Sequence, residues 1–390
     1  MARLGDIATV ITKGTTPTSI GFAFQNDGIN FVKIESVDEN GNFICEKFDH
    51  ISDECHEKLK RSQLQENDIL FSIAGAIART AIVTKDILPA NTNQALAIIR
   101  IPQGAINSSF LLYILQSSVV LEQAEKKKQG VAQLNLSLKD IGDFIIPDIP
   151  LEEQQCIVDS LDKVSNLISL RKQQLSKLDE LVKSRFIEMF GDPVLNPQGW
   201  KTKPLLEMGN CKNGMNFHDG DEGVEINCLG VGDFKDLAII DKTYELPTIS
   251  LNEAPPKEYL LKDGDIVFVR SNGNKALVGR CLVVYPHDTP TTYSGFCIRY
   301  RLTTDELETQ YLLRVLKTES IRKKMAGRGA NIQNLNQQIL ASLIIPIPPK
   351  DLQQQFATFV EQTDKSKFEI QKSLEKLETL KKALMQKYFG

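Results

Sequence analysis

The segment IIPDIPLEEQQ (residues 145–155) returns as IIPIPPKDLQQQ (residues 344–355). Ile145, Ile146 and Pro147 match Ile344, Ile345 and Pro346 at an offset of 199 residues. The same offset carries Gly130 to Gly329, Asn135 to Asn334, Leu136 to Leu335, Gln154 to Gln353 and Phe190 to Phe389. Solenoid repeats have periods of about 20–50 residues, so this is a duplicated domain together with the segment that follows it. Two related lobes in one chain suit a target with two related halves.

Working outward, each half has the same order. Short β-like runs come first, at 30–37, 68–73, 81–84 and 95–101, then at 225–230, 265–270, 281–285 and 296–302. Asn, Gly, Asp and Pro punctuate them, as turns require. One helix follows in each half, predicted over 110–128 and 310–325, where FLLYIL and YLLRVL are the same apolar block. Ser137 and Asn336 stand where N-caps of a short turn are expected, just before each IIP segment.

Residues 151–189 and 350–388 contain neither Pro nor Gly. In the first stretch Ile157, Leu161, Val164, Ile168, Leu175, Leu178, Val182 and Met189 fall at heptad spacing, with Arg171 and Arg185 at skipped positions. In the second, Phe356, Val360, Thr363, Ile370, Leu374, Leu377, Leu384 and Tyr388 do the same, with Lys367 and Lys381 in the gaps. A sustained period of 3.5 predicts a coiled coil. At 1.5 Å per residue each helix spans about 58 Å. One helix carries charge where its repeat is apolar, Ile168 against Lys367 and Arg171 against Ile370, so a matched pair is favoured over a homodimeric seam. Antiparallel packing would set the lobes at opposite ends about a pseudo-twofold axis.

The bulk composition bounds the function. At 390 residues two to three domains are expected. The 42% hydrophobic content and mean hydropathy of −0.20 are those of a soluble protein, and no apolar run approaches the length of a membrane span. The opening MARLGDIATVITKG lacks a secretory core. Seven cysteines, an odd number without close CxxC pairs, predict reduced thiols and a cytoplasmic setting. The formal charge is −4. Residues 1–195 hold 20 Lys+Arg against 26 Asp+Glu, and residues 196–390 hold 26 against 24. A nucleic-acid binder with this balance needs local positive potential or a partner that supplies it.

Catalytic signatures are absent. There is no GxSxG, HExxH or P-loop, and LGVGDF at 229–234 lacks a third glycine and a following helix. No Asp/Asn-Pro-Pro-aromatic run marks an adenine methyltransferase pocket. Cys45, His50, Cys55 and His56 do not have zinc-knuckle spacing, and the flanking Lys47 and Lys58 suggest a polar surface loop, so no metal site is expected. Glu125 and Lys127 fall on a helix and read as solvated charge.

What remains is the chemistry of a reader. Each half has a turn rich in small, polar and basic residues after its Asp-Ile strand: FSIAGAIART (71–80) and FVRSNGNKALVGR (268–280). Glycine permits close backbone approach. Arg79, Arg270, Lys275 and Arg280 suit phosphates or guanine edges, and Asn272 and Asn274 suit adenine. Asn91, Thr92, Asn93 and Gln94 form a second amide-rich loop, and Tyr293 and Ser294 occupy the corresponding place. Lys13, Ser72, Thr80 and Lys212 complete the candidate DNA-binding set.

The two proline–glutamine junctions, IIPDIPLEEQQCI and IIPIPPKDLQQQF, each opening a long helix, and the link FGDPVLNPQGW (190–200) together resemble the specificity subunit of a Type I restriction-modification enzyme. The resemblance covers the whole chain. It departs at the end, where Tyr388-Phe389-Gly390 stop short of a second such link, and a natural end is expected there. The resemblance implies an α+β fold with target-recognition domains at 1–150 and 191–349. It implies spacer helices at 151–190 and 350–390 that pair as an antiparallel coiled coil. It implies a non-catalytic subunit that reads a bipartite site in double-stranded DNA and sits in a complex with two methyltransferase subunits. Those partners would carry S-adenosylmethionine and flip the target adenine. Restriction subunits, as optional members, would supply ATP- and Mg-dependent translocation and cleavage. Against this stand a scaffold that binds methyltransferase subunits without reading DNA, and an enzyme in its own right, which the missing motifs disfavour.

Overall fold

The computed structural model describes the whole chain except residues 39–40, 76, 128–134, 218–221, 235–237 and 327–333. The repeated Gly130 and Gly329, and Lys128 at the end of the expected helix, lie outside the described residues. The chain divides into two compact units, residues 1–172 with 372–390, and residues 173–371. Each long helix therefore contributes a stretch to both units rather than standing apart from the lobes.

In the first unit a four-stranded sheet runs in the order Val10–Lys13, Leu96–Arg100, Ile69–Ser72, Thr80–Ile82. A three-stranded sheet has the order Asp49–Ile51, Ile29–Val32, Ala90–Thr92. Ile69, Leu70, Phe71 and Ser72 are all buried, because the sheet is covered on both faces. The second unit repeats this with Gly209–Asn213, Cys297–Leu302, Asp265–Val269 and Cys281–Val284, and adds Ile239–Ile240 as a fifth strand. Its three-stranded sheet is Thr248–Leu251, Val224–Leu229, Thr291–Tyr293. The β-like runs of the sequence all contain strands. The short strands Ala2–Arg3 and Thr202–Pro204, which pair with Ile145–Ile146 and Ile344–Pro346, were not legible. They tie each lobe's start to the residues that open its long helix.

One ion pair marks the duplication at the strand level. Arg100 donates from Nε and Nη2 to Asp68 at 2.7 and 2.6 Å. Arg301 does the same to Asp265, at 2.7 Å on both arms. Each carboxylate also accepts a backbone N–H, from Gln65 or Lys262. The aspartates are buried, and the fork geometry compensates their desolvation.

The single helix expected over 110–128 is two helices, Ser108–Leu115 and Ser118–Lys127, and its mirror is Thr309–Lys317 and Glu319–Ala326. The break has a local cause. The Ser117 hydroxyl donates back to the Ile114 carbonyl at 2.6 Å, and Thr318 donates to Val315 at 2.7 Å, in competition with the helical ladder. The two N-caps form. Ser137 Oγ accepts the Asp140 N–H and Asn336 Oδ1 accepts the Ile339 N–H, opening the short helices Leu138–Gly142 and Gln337–Ala341.

The long helices run Leu151–Phe190 and Lys350–Phe389. Within the first unit Ile157, Leu161, Val164 and Leu374 are each buried, and Phe389 sits 5.5 Å from Phe110 in the same core as Ile157 and Leu161. Lys172 meets Glu378 at 3.4 Å. As the first helix advances the second retreats, so the two are antiparallel there. Within the second unit Val182 is buried with Phe356 and Val360, Phe186 and Phe190 lie 5.5 Å from Phe356, and Asp179 meets Lys367 at 2.6 Å, again antiparallel. Ile168, Leu175, Leu178, Ile370, Leu377 and Leu384 are half-buried seam positions. Phe186 and Phe190 fall off the strict heptad and were missed, yet with Tyr311 and Phe356 they form the aromatic centre of the second core.

The glutamine of each junction is a fastener. Gln154 accepts the Asn107 N–H at 2.8 Å and donates to the Ile149 carbonyl at 2.7 Å. Gln353 accepts the Glu308 N–H at 2.8 Å and donates to the Glu306 and Pro348 carbonyls at 2.9 and 2.8 Å. Both side chains are buried, and each joins the first turn of a long helix to the start of its lobe's helical segment.

Candidate nucleic-acid interface

Four segments converge at the same place in each unit. In the first, Gly14 donates to the Asn93 carbonyl at 3.1 Å, Ile73 to Ala95 at 2.9 Å, and Leu136 to Ile73 at 3.0 Å, with Ala74 and Asn135 bridged. In the second, Met215 donates to Tyr293 at 3.1 Å, Arg270 to Phe296 at 2.8 Å, and Leu335 to Arg270 at 2.7 Å, with Ser271 and Asn334 bridged. Glycine is required where the first segment passes the third. A Cβ on Gly14 would lie 1.8 Å from the Thr92 carbonyl oxygen, and one on Gly214 would lie 2.1 Å from that of Ser294. The backbone of the cluster is thus fixed by strand bonds, and its exposed side chains are mostly polar, Phe296 of the second unit being the large apolar exception. Lys13, Gln94 and Asn135 face solvent in the first unit, and Asn216, Asn274, Asn334 and Gln337 in the second. Amides and a lysine on a rigid turn cluster can hydrogen-bond base edges and phosphates.

The sequence matches the family described as Type I restriction modification DNA specificity domain, over residues 1–180 and 197–382. The chain belongs to that family. Among curated relatives, the EcoBI specificity subunit of Escherichia coli is 32% identical over 170 residues, covering 42% of this chain and 35% of the relative. The StySPI subunit of Salmonella potsdam is 23% identical, covering 74% and 66%. The MjaVIII subunit of Methanocaldococcus jannaschii is 23% identical, covering 83% and 78%. The chain thus spans about a third of the first relative's length and just under two thirds of the second's. Two solved structures share the fold along the whole chain. One, concerned with complex assembly and conformational transition of the type I R-M system, has a TM-score of 0.59 at 20% identity and is covered to 96%. The other, the S subunit of a Type-I restriction-modification system from M. genitalium, has a TM-score of 0.56 at 15% identity and is covered to 95%.

Within this family fold the candidate residues divide into two groups. Several are buried and hydrogen-bonded within the fold. Ser72, Thr80, Asn91, Thr92 and Tyr293 are buried. Asn91 donates to the Leu59 carbonyl and Ser62 Oγ, and its Oδ1 faces His56 Nδ1. Thr92 donates to Val32 at 2.9 Å, Thr80 accepts from Gln116 at 2.8 Å, Ser72 donates to Ala74 at 3.1 Å, and Tyr293 to the Lys212 carbonyl at 3.3 Å. The structure places these five away from the exposed turn surface expected of contacts: they sit where strand ends bury polar groups. Ser294 is buried too, its hydroxyl accepting the Phe296 N–H at 3.3 Å.

The basic candidates mostly hold the frame. Arg79 donates to the Ile34 and Val37 carbonyls at 3.2 and 2.8 Å, and Arg270 to Gly295 at 3.2 Å. Lys212 is paired with Glu258 at 2.5 Å, and that hydrogen bond holds its pKa above the ordinary lysine value. Asn93, Asn272 and Asn274 accept the N–H groups of Ala95, Asn274 and Ala276, shaping their own turns while standing half-buried or exposed. Lys13 and Gln94 are exposed, and Arg280 is half-buried. The Lys275 side chain lies outside the described residues.

The expected polar surface loop at 45–56 is also corrected. Cys55 is buried on the helix Asp53–Lys58 in a core with Phe31 and Ile51, and His50 lies on a strand. Among the described residues no group of three or more His, Cys, Asp or Glu side chains could hold a metal ion, and no helix is long and apolar enough to cross a membrane. Asn135, Asn216, Asn334 and Gln337 are the cluster members that reasoning about single loops missed. For Asn135 and Asn334 the signal was present in the 199-residue offset, which the repeat assigns to both halves at once.

Proposed function

We propose that this chain is the DNA-reading subunit of a Type I restriction-modification complex. The lobes 1–150 and 191–349 are its target-recognition domains, and each reads one half of a bipartite site in double-stranded DNA. The helices 151–190 and 350–390 are the spacer that sets the gap between half-sites. Half-sites read by a repeated protein lie about 34 Å apart per helical turn, a distance that 40-residue helices span. Two methyltransferase subunits dock on the chain and carry S-adenosylmethionine, and restriction subunits with ATP and Mg join where present. The chain performs no reaction of its own and acts in the cytoplasm.

The observation that carries this reading is the same four-segment polar cluster built twice on one duplicated frame. A scaffold that did not read DNA has no need of two rigid amide-bearing turn clusters. The overall charge of −4 fits a reader that shares the phosphate backbone with partners, since phosphate contacts dominate affinity and need not all come from one chain. Exchange of residues 1–150 for the lobe of another family member, followed by methylome sequencing of the host, tests it. One half of the methylated motif should change while the other half and the gap persist. A motif altered in both halves, or in neither, overturns the reading.

A further inference from the structure

The two clusters differ most at one turn. Ala95 and Phe296 are equivalent: each offers its carbonyl to the residue after the central strand, Ile73 or Arg270, at 2.9 and 2.8 Å. Ala95 is half-buried, but Phe296 is 61% exposed. Its backbone is held on both sides, the N–H by Ser294 Oγ at 3.3 Å and the carbonyl by the N–H groups of Arg270 and Ser271 at 2.8 and 3.3 Å. A single exposed phenylalanine is ordinary on a protein surface. This one stands on a fixed turn among exposed amides. A Cβ on the preceding Gly295 would lie 2.1 Å from Asn216 Oδ1, and Asn334 is bridged to Ser271 beside it.

On the assumption that the cluster reads DNA as proposed above, we infer that Phe296 packs against the 5-methyl group of a thymine in the half-site read by residues 191–349. In the major groove the thymine methyl is the apolar mark on a base edge, and the paired adenine offers N7 and N6 to an amide. A phenyl ring on a turn that also carries Asn216 and Asn334 matches both features of one A·T pair. Arg270, the residue type suited to guanine, is engaged with the Gly295 carbonyl. The first unit has the smaller, half-buried Ala95 at this place.

The test uses the chain in complex with its methyltransferase subunits and synthetic duplexes bearing the motif found by methylome sequencing. The half-site belonging to residues 191–349 is assigned by lobe exchange. Each thymine of that half-site is replaced in turn by uracil, which removes the methyl group alone. At one position binding should weaken about four-fold, the worth of one buried methyl. In Phe296→Ala that sensitivity should vanish. Specific binding with no uracil-sensitive thymine, sensitivity that survives in Phe296→Ala, or a half-site without thymine on either strand overturns the thymine contact alone. Binding no tighter to the motif than to scrambled DNA overturns the reading function as well.

Discussion

Compared position by position, the two units agree where folding makes demands and differ where a ligand would be met. Asp68–Arg100 and Asp265–Arg301 are the same fork, Gln154 and Gln353 the same fastener, and Ser137 and Asn336 the same cap. At the converging turns Gln94–Ala95 corresponds to Gly295–Phe296, and the turn that holds Gly75 corresponds to one built on Asn272 and Asn274. A frame of buried polar groups tolerates little change, because any partner removed leaves a charge or an amide without compensation in a low-dielectric site. Exposed turn side chains carry no such constraint. A duplicated chain therefore keeps its frame and varies its tips.

The largest expected effect tests the shared frame. Asp265→Asn leaves Arg301 uncompensated beside a buried amide and should cost the second unit about 3–5 kcal/mol. Asp68→Asn should cost the first unit a similar amount. Hydrogen exchange followed by peptide would localise each loss, with protection falling in the sheet of the mutated unit. A large loss in one variant and none in the other would break the equivalence of the two frames. Next in size are the fasteners. Gln353→Leu strands one N–H and two carbonyls, whereas Gln154→Leu strands one of each. Costs of about 1–3 kcal/mol are expected, larger for Gln353, measured by urea unfolding. If the spacer reading holds, both variants should also admit a wider range of gap lengths in the methylated motif with the half-site bases unchanged.

Much of this frame was legible in the sequence. Heptad spacing and the absence of Pro and Gly located both long helices to within a residue or two, and the Ser137 and Asn336 caps follow from residue type. The site was less legible, for a physical reason. A polar side chain at a strand end is equally stable in solvent or buried against a free carbonyl, and the sequence does not tell which. Asn91 and Asn93 are neighbours of similar chemistry, yet Asn91 is buried against Leu59 and Ser62 while Asn93 shapes the open turn. The roles of Gln154 and Gln353 were hidden too, because a glutamine on a helix's first turn ordinarily faces water.

A smaller effect probes the one place where the frames themselves diverge. Tyr113 and Arg314 are equivalent residues of the repeated apolar helix. The Tyr113 hydroxyl donates to Asp162 at 2.6 Å, and burial, with that bond, raises its pKa well above the ordinary tyrosine value of 10.0. The folded state holds the phenol proton more tightly than the unfolded state. Its stabilisation is therefore full below pH 10 and declines as pH climbs through the alkaline range. Tyr113→Phe should cost about 1 kcal/mol at neutral pH and flatten part of the alkaline loss, read by thermal unfolding across pH 8–11. Arg314 carries no titrating proton in that range; burial lowers its pKa, and Asp364 and Asp179 oppose the shift. An unchanged alkaline profile in Tyr113→Phe would remove the hydroxyl from the account.

The smallest effect separates the two helix pairings. In the first unit Lys172 and Glu378 meet at 3.4 Å with both side chains about half exposed. In the second, Lys367 occupies a seam position where its repeat is Ile168, is only 21% exposed, and meets Asp179 at 2.6 Å and Asp364 at 3.5 Å. A solvated pair contributes little, because water screens both charges and the long side chains lose entropy on docking. A cation drawn into an apolar seam needs its carboxylates more. Glu378→Gln should therefore change stability by less than about 0.5 kcal/mol, and Asp179→Asn should cost up to about 1 kcal/mol. Added salt should erase whatever Glu378→Gln does and leave more of the Asp179→Asn effect, since partly buried pairs are screened less. Equal losses in the two variants, or equal salt dependence, would mean that seam position does not distinguish the pairs. The charge of Lys367 would then be as well solvated as that of Lys172, and the argument that charge placement selects one helix as the other's partner would lose its energetic basis.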